Sequence, residues 1–200
     1  MAANRWLLHP ACKPVVFGLC LLPLLRLGVG AFADTLGANP AEALIRGFGD
    51  WTLRFLCLTL AVTPLRRLTG LSALLRLRRM LGLFTFFYGV VHFLCFAWLD
   101  MGLDWGAIVK DVGKRPFILV GSAALLLMLP LAATSFDRAV RALGGRRWRA
   151  LHRAVYVVAG LALLHFFWMR AGKQLFGEPS VYAAILAVLL GSRLWRPRSG

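Results

Sequence analysis

Residues Met80–Leu99 (MLGLFTFFYGVVHFLCFAWL) form a twenty-residue run without formal charge, and one histidine, His92, lies well inside it. A run of this length and apolarity can cross a bilayer as a helix. An imidazole within such a run is costly and marks a functional candidate. A second apolar run, Leu151–Met169, carries His152 at its start and His165 farther in, so three of the four histidines lie in or at apolar spans.

The rest of the chain repeats this pattern. Sixty per cent of its 200 residues are hydrophobic, against roughly half for a soluble domain. The apolar blocks predict an all-α, six-helix membrane bundle in one domain over residues 1–200. The expected spans are Pro14–Ala33, Phe48–Leu65, Met80–Leu99, Phe117–Phe136, Leu151–Met169 and Val181–Leu194, the last with a short apolar part. Ala31-Phe32-Ala33 has the look of a signal-peptidase site. Arg26 and the length of the run favour a retained helix over a cleaved signal. Asp34–Gly47, Arg66–Arg79, Asp100–Pro116, Asp137–Ala150 and Arg170–Ser180 read as loops, with a turn at Gly144-Gly145.

A net charge of +16 on a soluble chain would suggest nucleic acid. Here the basic residues cluster between apolar blocks, as in cytoplasmic loops, and the hydropathy pattern decides against nucleic acid. The N-terminus, the second and fourth connections and the C-terminus hold fifteen Lys and Arg, against six in the other three connections. The positive-inside rule therefore puts both termini in the cytoplasm. The four cysteines form no C-x-x-C pair, and three fall inside spans. They read as small buried apolar residues, not as a disulfide, zinc or iron–sulfur framework.

Spans three and five run in the same direction. His92 follows Met80 by twelve residues and His165 follows Leu151 by fourteen. At about 1.5 Å per residue both sit roughly 18–21 Å from the cytoplasmic ends. Two imidazoles at one depth can bind one haem iron from opposite sides. The competing reading is that each bonds a neighbouring helix. His152 lies about 20 Å below His165, and Arg78 lies at the matching depth before span three. Thirteen residues between His152 and His165 put the two side chains on different faces of an ideal helix, unless the helix distorts, with Gly160 between them. Arg26 and Arg54 fall near the upper level and suit haem propionates. Snorkelling to the interface is the alternative for Arg54.

The segments Thr63-Pro64-Leu65, Arg78-Arg79-Met80-Leu81-Gly82-Leu83 with His92, Lys114-Arg115-Pro116, Thr134-Ser135, Trp148-x-x-Leu151-His152-x-x-Val155-Tyr156 and His165 occur in that order. Together they resemble the MsrQ family (formerly YedZ), which lies within the ferric reductase-like transmembrane family that includes NADPH oxidases. Relatives there hold two stacked b-type haems with two histidines on each of two helices. His92, His152 and His165 match three of those positions, and Arg78 stands at the fourth. The resemblance implies one or two b-type haems and an association with FMN. It also implies electron transfer in the bacterial inner membrane from the quinone pool or a cytosolic flavin reductase. The recipient would be MsrP, a periplasmic molybdopterin enzyme that reduces methionine sulfoxide in oxidised proteins. On this reading the chain is an electron-transfer subunit and not the place of sulfoxide reduction.

No G-x-G-x-x-G follows a strand-like run, so no nicotinamide or flavin domain is expected in this sequence. Electrons must then come from a partner or a diffusing quinone. A function of a different class, a transporter using intramembrane His and Arg as a proton relay, would need the same polar residues but no haem. The propionate reading predicts that Arg26→Leu lowers haem content or shifts the haem midpoint potential. An absorbance and potentiometric titration of the purified variant checks this.

Overall fold

The computed structural model describes residues 7–171 and 174–194, and among these every regular element is helical. Arg5, Lys173, Arg196 and Arg198, which entered the topology count, lie outside the described residues. The elements are α1 (Cys12–Phe32), α2 (Pro40–Thr69), a 3₁₀ turn (Ser72–Leu74), α3 (Leu75–Cys95), a π turn (Phe96–Asp100), α4 (Trp105–Lys114), α5 (Pro116–Ala133), α6 (Asp137–His152), α7 (Val155–Ala171) and α8 (Gly177–Leu194). Four helical segments are long and apolar enough to cross a membrane: Cys12–Phe32, Ser72–Asp100, Pro116–Ala133 and Asp137–Ala171. The chain divides into two compact units, Met1–Lys110 and Asp111–Gly200.

In the first unit α2 is far longer than the expected span Phe48–Leu65, because its start and stop signals lie outside the apolar run. Asn39 accepts from the Glu42 N–H (3.1 Å) and Pro40 opens the helix, the arrangement that satisfies a first-turn donor and presets φ. Glu42 also pairs with Arg46 one turn on. Gly70 stops the helix in the left-handed region at φ 70°, its N–H returning to the Arg66 carbonyl, a conformation open to glycine at no steric cost. α2, which carries Asp50 and Arg54 within its apolar stretch, is not among these apolar crossings, yet it is the most buried helix of its unit, with Phe48, Leu53, Phe55, Leu56, Leu60 and Val62 all enclosed.

The core here is an aromatic cluster. Phe55 stacks on Tyr88 (5.1 Å between centroids, 13° between planes) and on Phe84 (5.6 Å, 25°), while Phe48 lies 6.1 Å from Tyr88. In a bilayer, helices associate through close packing and hydrogen bonds, because lipid is as apolar as leucine. Tyr88, with no exposed surface, supplies both. Its hydroxyl donates to the Cys20 carbonyl (2.7 Å) and accepts from the Leu24 N–H (3.1 Å). Cys20 and Leu24 are the two ends of one rung of α1's own ladder, so the phenol is wedged into that helix. Pro23 sits inside the same turn and lacks an N–H. A second polar clasp, the buried Thr59 and Thr85 hydroxyls 3.5 Å apart, joins α2 to α3.

In the second unit α5 and α8 pack on α7. Ile118, Ala124 and Met128 of α5 and Val158, Ala159 and Phe166 of α7 are buried, and the alanines let the backbones approach. Three expectations are corrected. Asp137–Ala150 is not a loop: it is helical, with one non-helical residue, Gly144 (φ 71°), where the turn was expected. Leu151–Met169 is not one continuous helix. The chain tightens through successive i→i+3 bonds, Arg153 N–H to Ala150 O, Ala154 N–H to Leu151 O and Tyr156 N–H to Arg153 O, and α7 starts only at Val155. The helix break between His152 and His165 is therefore at Arg153–Ala154, and Gly160 lies inside α7. The expected mixed loop Asp100–Pro116 likewise contains α4, whose first turn is capped by Asp104 accepting from the Ala107 N–H.

Tyr88→Phe keeps the stacking and loses both bonds of the hydroxyl, an expected loss of about 1–2 kcal/mol. Tyr88→Ala also empties the cluster and should cost about 3–5 kcal/mol. Thermal unfolding of the purified variants in detergent measures both.

Candidate functional site

His92 and His165 sit in the same kind of seat, built once in each unit. His92 lies one turn beyond Tyr88 on α3, and its Nδ1 is 2.8 Å from the Ile45 carbonyl oxygen in the second turn of α2. His165 lies on α7, and its Nδ1 is 2.6 Å from the Phe117 carbonyl oxygen at the start of α5. A carbonyl can only accept, so Nδ1 donates in both cases. The neutral ring then carries its proton on Nδ1 and its lone pair on Nε2, the tautomer of a metal-ligating histidine whose other nitrogen is held by an outer partner.

Each seat has a glycine four residues after the accepting carbonyl. A Cβ on Gly49 would lie 3.1 Å from both Nδ1 and Cε1 of His92, and one on Gly121 would lie 2.7 Å from Nδ1 and 2.8 Å from Cε1 of His165. Residues i and i+4 share a helix face, so a side chain there would stand in the ring's way to the carbonyl. Neither glycine nor either carbonyl was picked out from sequence. The available signal is a glycine 43 or 44 residues before a membrane histidine, which is weak among twenty glycines.

His152, the last residue of α6, is held differently. Its Nε2 is 3.0 Å from Thr134 Oγ1, and the Trp148 ring stacks on it at 3.9 Å. Thr134 spends its one proton on the Pro130 carbonyl (2.7 Å), so His152 Nε2 donates to Thr134. Trp148 Nε1 donates to the Thr134 carbonyl (2.9 Å). The sequence pieces Thr134-Ser135 and Trp148-x-x-Leu151-His152 thus meet as one clasp between the end of α5 and the end of α6. Of the arginines, Arg26 is exposed on α1, Arg78 is half-buried on α3, and the Arg54 guanidinium lies 4.8 Å from the Trp51 ring centroid.

Among the described residues no group of three or more His, Cys, Asp or Glu could hold a metal ion, and all four cysteines are free thiols. A haem makes no such demand, since its porphyrin supplies four ligands and the protein one or two. The donor set fits that group: two imidazoles in apolar helices, each with its lone pair placed on Nε2.

Comparison with known proteins agrees with this chemistry. The family described as ferric reductase like transmembrane component matches residues 48–163. The protein-methionine-sulfoxide reductase heme-binding subunit MsrQ of Polaromonas naphthalenivorans is 61% identical over 192 residues, covering 96% of this chain and 88% of that protein. The chain belongs to the MsrQ family. MsrQ of Ralstonia nicotianae is 58% identical over 185 residues (92% and 85% of the two chains), and that of Herminiimonas arsenicoxydans is 53% identical over 190 (94% and 87%). No solved structure matches. Membership of the MsrQ family and of a transmembrane component family, with four apolar helical segments, makes this a multi-pass membrane protein.

Thr134→Val leaves the His152 ring without its oxygen partner. The expected cost is about 1–3 kcal/mol of stability, and the ¹⁵N imidazole resonances should move for His152 while those of His92 and His165 stay in place.

Proposed function

We propose that this chain carries electrons across the bacterial inner membrane through b-type haem ligated by Nε2 of His92 and Nε2 of His165. The observation that carries the reading is the pair of matching seats, which fix the ligating tautomer of both histidines inside apolar helices. The names of the relatives, heme-binding subunits of a protein-methionine-sulfoxide reductase, support it. A bound haem would supply one-electron exchange between ferric and ferrous iron. His92 and His165 would hold the group through their Nε2 nitrogens, and the surrounding apolar side chains would exclude water. One or both of Arg26 and Arg54 pair with the propionates.

Six spans in one domain with both termini cytoplasmic complete the proposal. α2 and α8 are the two crossings proposed beyond the four apolar segments, α2 sheltered by protein packing. Electrons enter from the quinone pool or from a cytosolic flavin reductase through FMN, and leave to the periplasmic molybdopterin subunit MsrP, which repairs oxidised proteins. His152 and Arg78 mark the lower level. His152 can ligate a second haem there through Nε2 only by giving up Thr134.

Purified protein should show a b-type haem spectrum that dithionite reduces, and His92→Ala or His165→Ala should remove most of it. A colourless wild type, or near-normal haem in both variants, would sink the reading. In His152→Ala the haem held by His92 and His165 should remain, and a stoichiometry falling from two to one would place a second haem at the lower level.

A further inference from the structure

Resting on the haem reading above, we propose that Gly49 and Gly121 are positioning residues that set the donor strength and ring orientation of the two ligating imidazoles, and through them the haem's midpoint potential.

The argument starts from what a carbonyl can reach. The Ile45 and Phe117 carbonyls lie within the opening turns of α2 and α5. Each oxygen has two lone pairs, one directed along the helix and one available to an outside donor. An imidazole can take the second one only by lying against the helix backbone, over residue i+4. At both places that residue is glycine, and in both seats the atoms that an added Cβ would meet first are Nδ1 and Cε1 of the histidine. The coincidence is specific. Gly18 of α1 and Gly160 of α7, also inside apolar helices, face nothing within 4 Å.

The hydrogen bond has an electronic consequence. A ring that donates from Nδ1 to a carbonyl is a stronger base at Nε2. A stronger nitrogen donor favours ferric over ferrous iron and lowers the potential, and hydrogen bonding around the ligands is one of the protein's levers on it. Pushing the ring away weakens the bond and raises the potential. The two seats should respond unequally. At Gly121 the 2.7 Å clearance is shorter than a Cβ tolerates, so the ring or the helix must move. At Gly49 the 3.1 Å clearance needs only a few tenths of an ångström.

The test compares Gly121→Ala, Gly49→Ala and the open-space control Gly160→Ala. Haem affinity should fall roughly tenfold to a hundredfold in Gly121→Ala, the range for loss of an outer partner, less in Gly49→Ala, and not in Gly160→Ala. The midpoint potential should rise in the same order, and the low-spin ferric EPR g-values should change in both seat variants. ¹⁵N spectra of haem-free protein should show His165 losing its fixed Nδ1–H tautomer in Gly121→Ala. Potential, g-values and affinity matching wild type in both seat variants would overturn the proposal, as would an equal response in Gly160→Ala. Should Gly121→Ala not insert, Gly49→Ala decides alone, since its smaller clash leaves the fold room to adjust. Failure of the haem reading looks different: a wild type without haem whose ¹⁵N tautomers still respond to Gly121→Ala has the seats but not the cofactor, and the claim about potential falls.

Discussion

A single kind of hydrogen bond organises the candidate site of this molecule: a backbone carbonyl in an opening turn of one helix, accepting from the Nδ1–H of a histidine on another helix. In water such a bond contributes little, because solvent competes for both partners. In an apolar interior the competition is gone, and a polar ring without a partner is expensive. The bond therefore does two things. It meets the cost of an imidazole in a membrane helix, and it decides which nitrogen keeps the lone pair. A histidine placed there for structure alone would need only the first.

The packing around the seats follows from the same constraint. Tyr88, one turn before His92, locks α1 to α3 by entering a rung of α1, and Phe55 and Phe84 stack against it. Helices joined by apolar contacts alone can slide in lipid; a hydroxyl set between Cys20 and Leu24 fixes both depth and rotation of α3 against α1. In the other unit, small residues bring α5 and α7 close, and that closeness is what lets the His165 ring reach the Phe117 carbonyl across Gly121.

Much of this was legible in the sequence. Length and apolarity located the four apolar helical segments, and the cost of an imidazole in lipid singled out His92 and His165. The illegible parts have physical reasons. The true length of α2 is set by Asn39, Pro40 and Gly70, which lie outside the apolar run and act through caps. Asp137–Ala150 looked like a loop because it is basic and has two glycines, yet a single non-helical residue, Gly144, absorbs the turn. The break at Arg153–Ala154 carries no proline or glycine. The seats themselves depend on main-chain carbonyls, which every residue has, and on glycines, which are common in membrane helices for other reasons.

The break after His152 separates two mechanical parts. His165 rides on α7, whereas His152 belongs to the α5–α6 clasp through Thr134 and Trp148. The two rings are therefore held by separate hydrogen bonds, His165 to the start of α5 and His152 to its end. The two-residue break at Arg153–Ala154 separates the helix that carries His152 from the helix that carries His165.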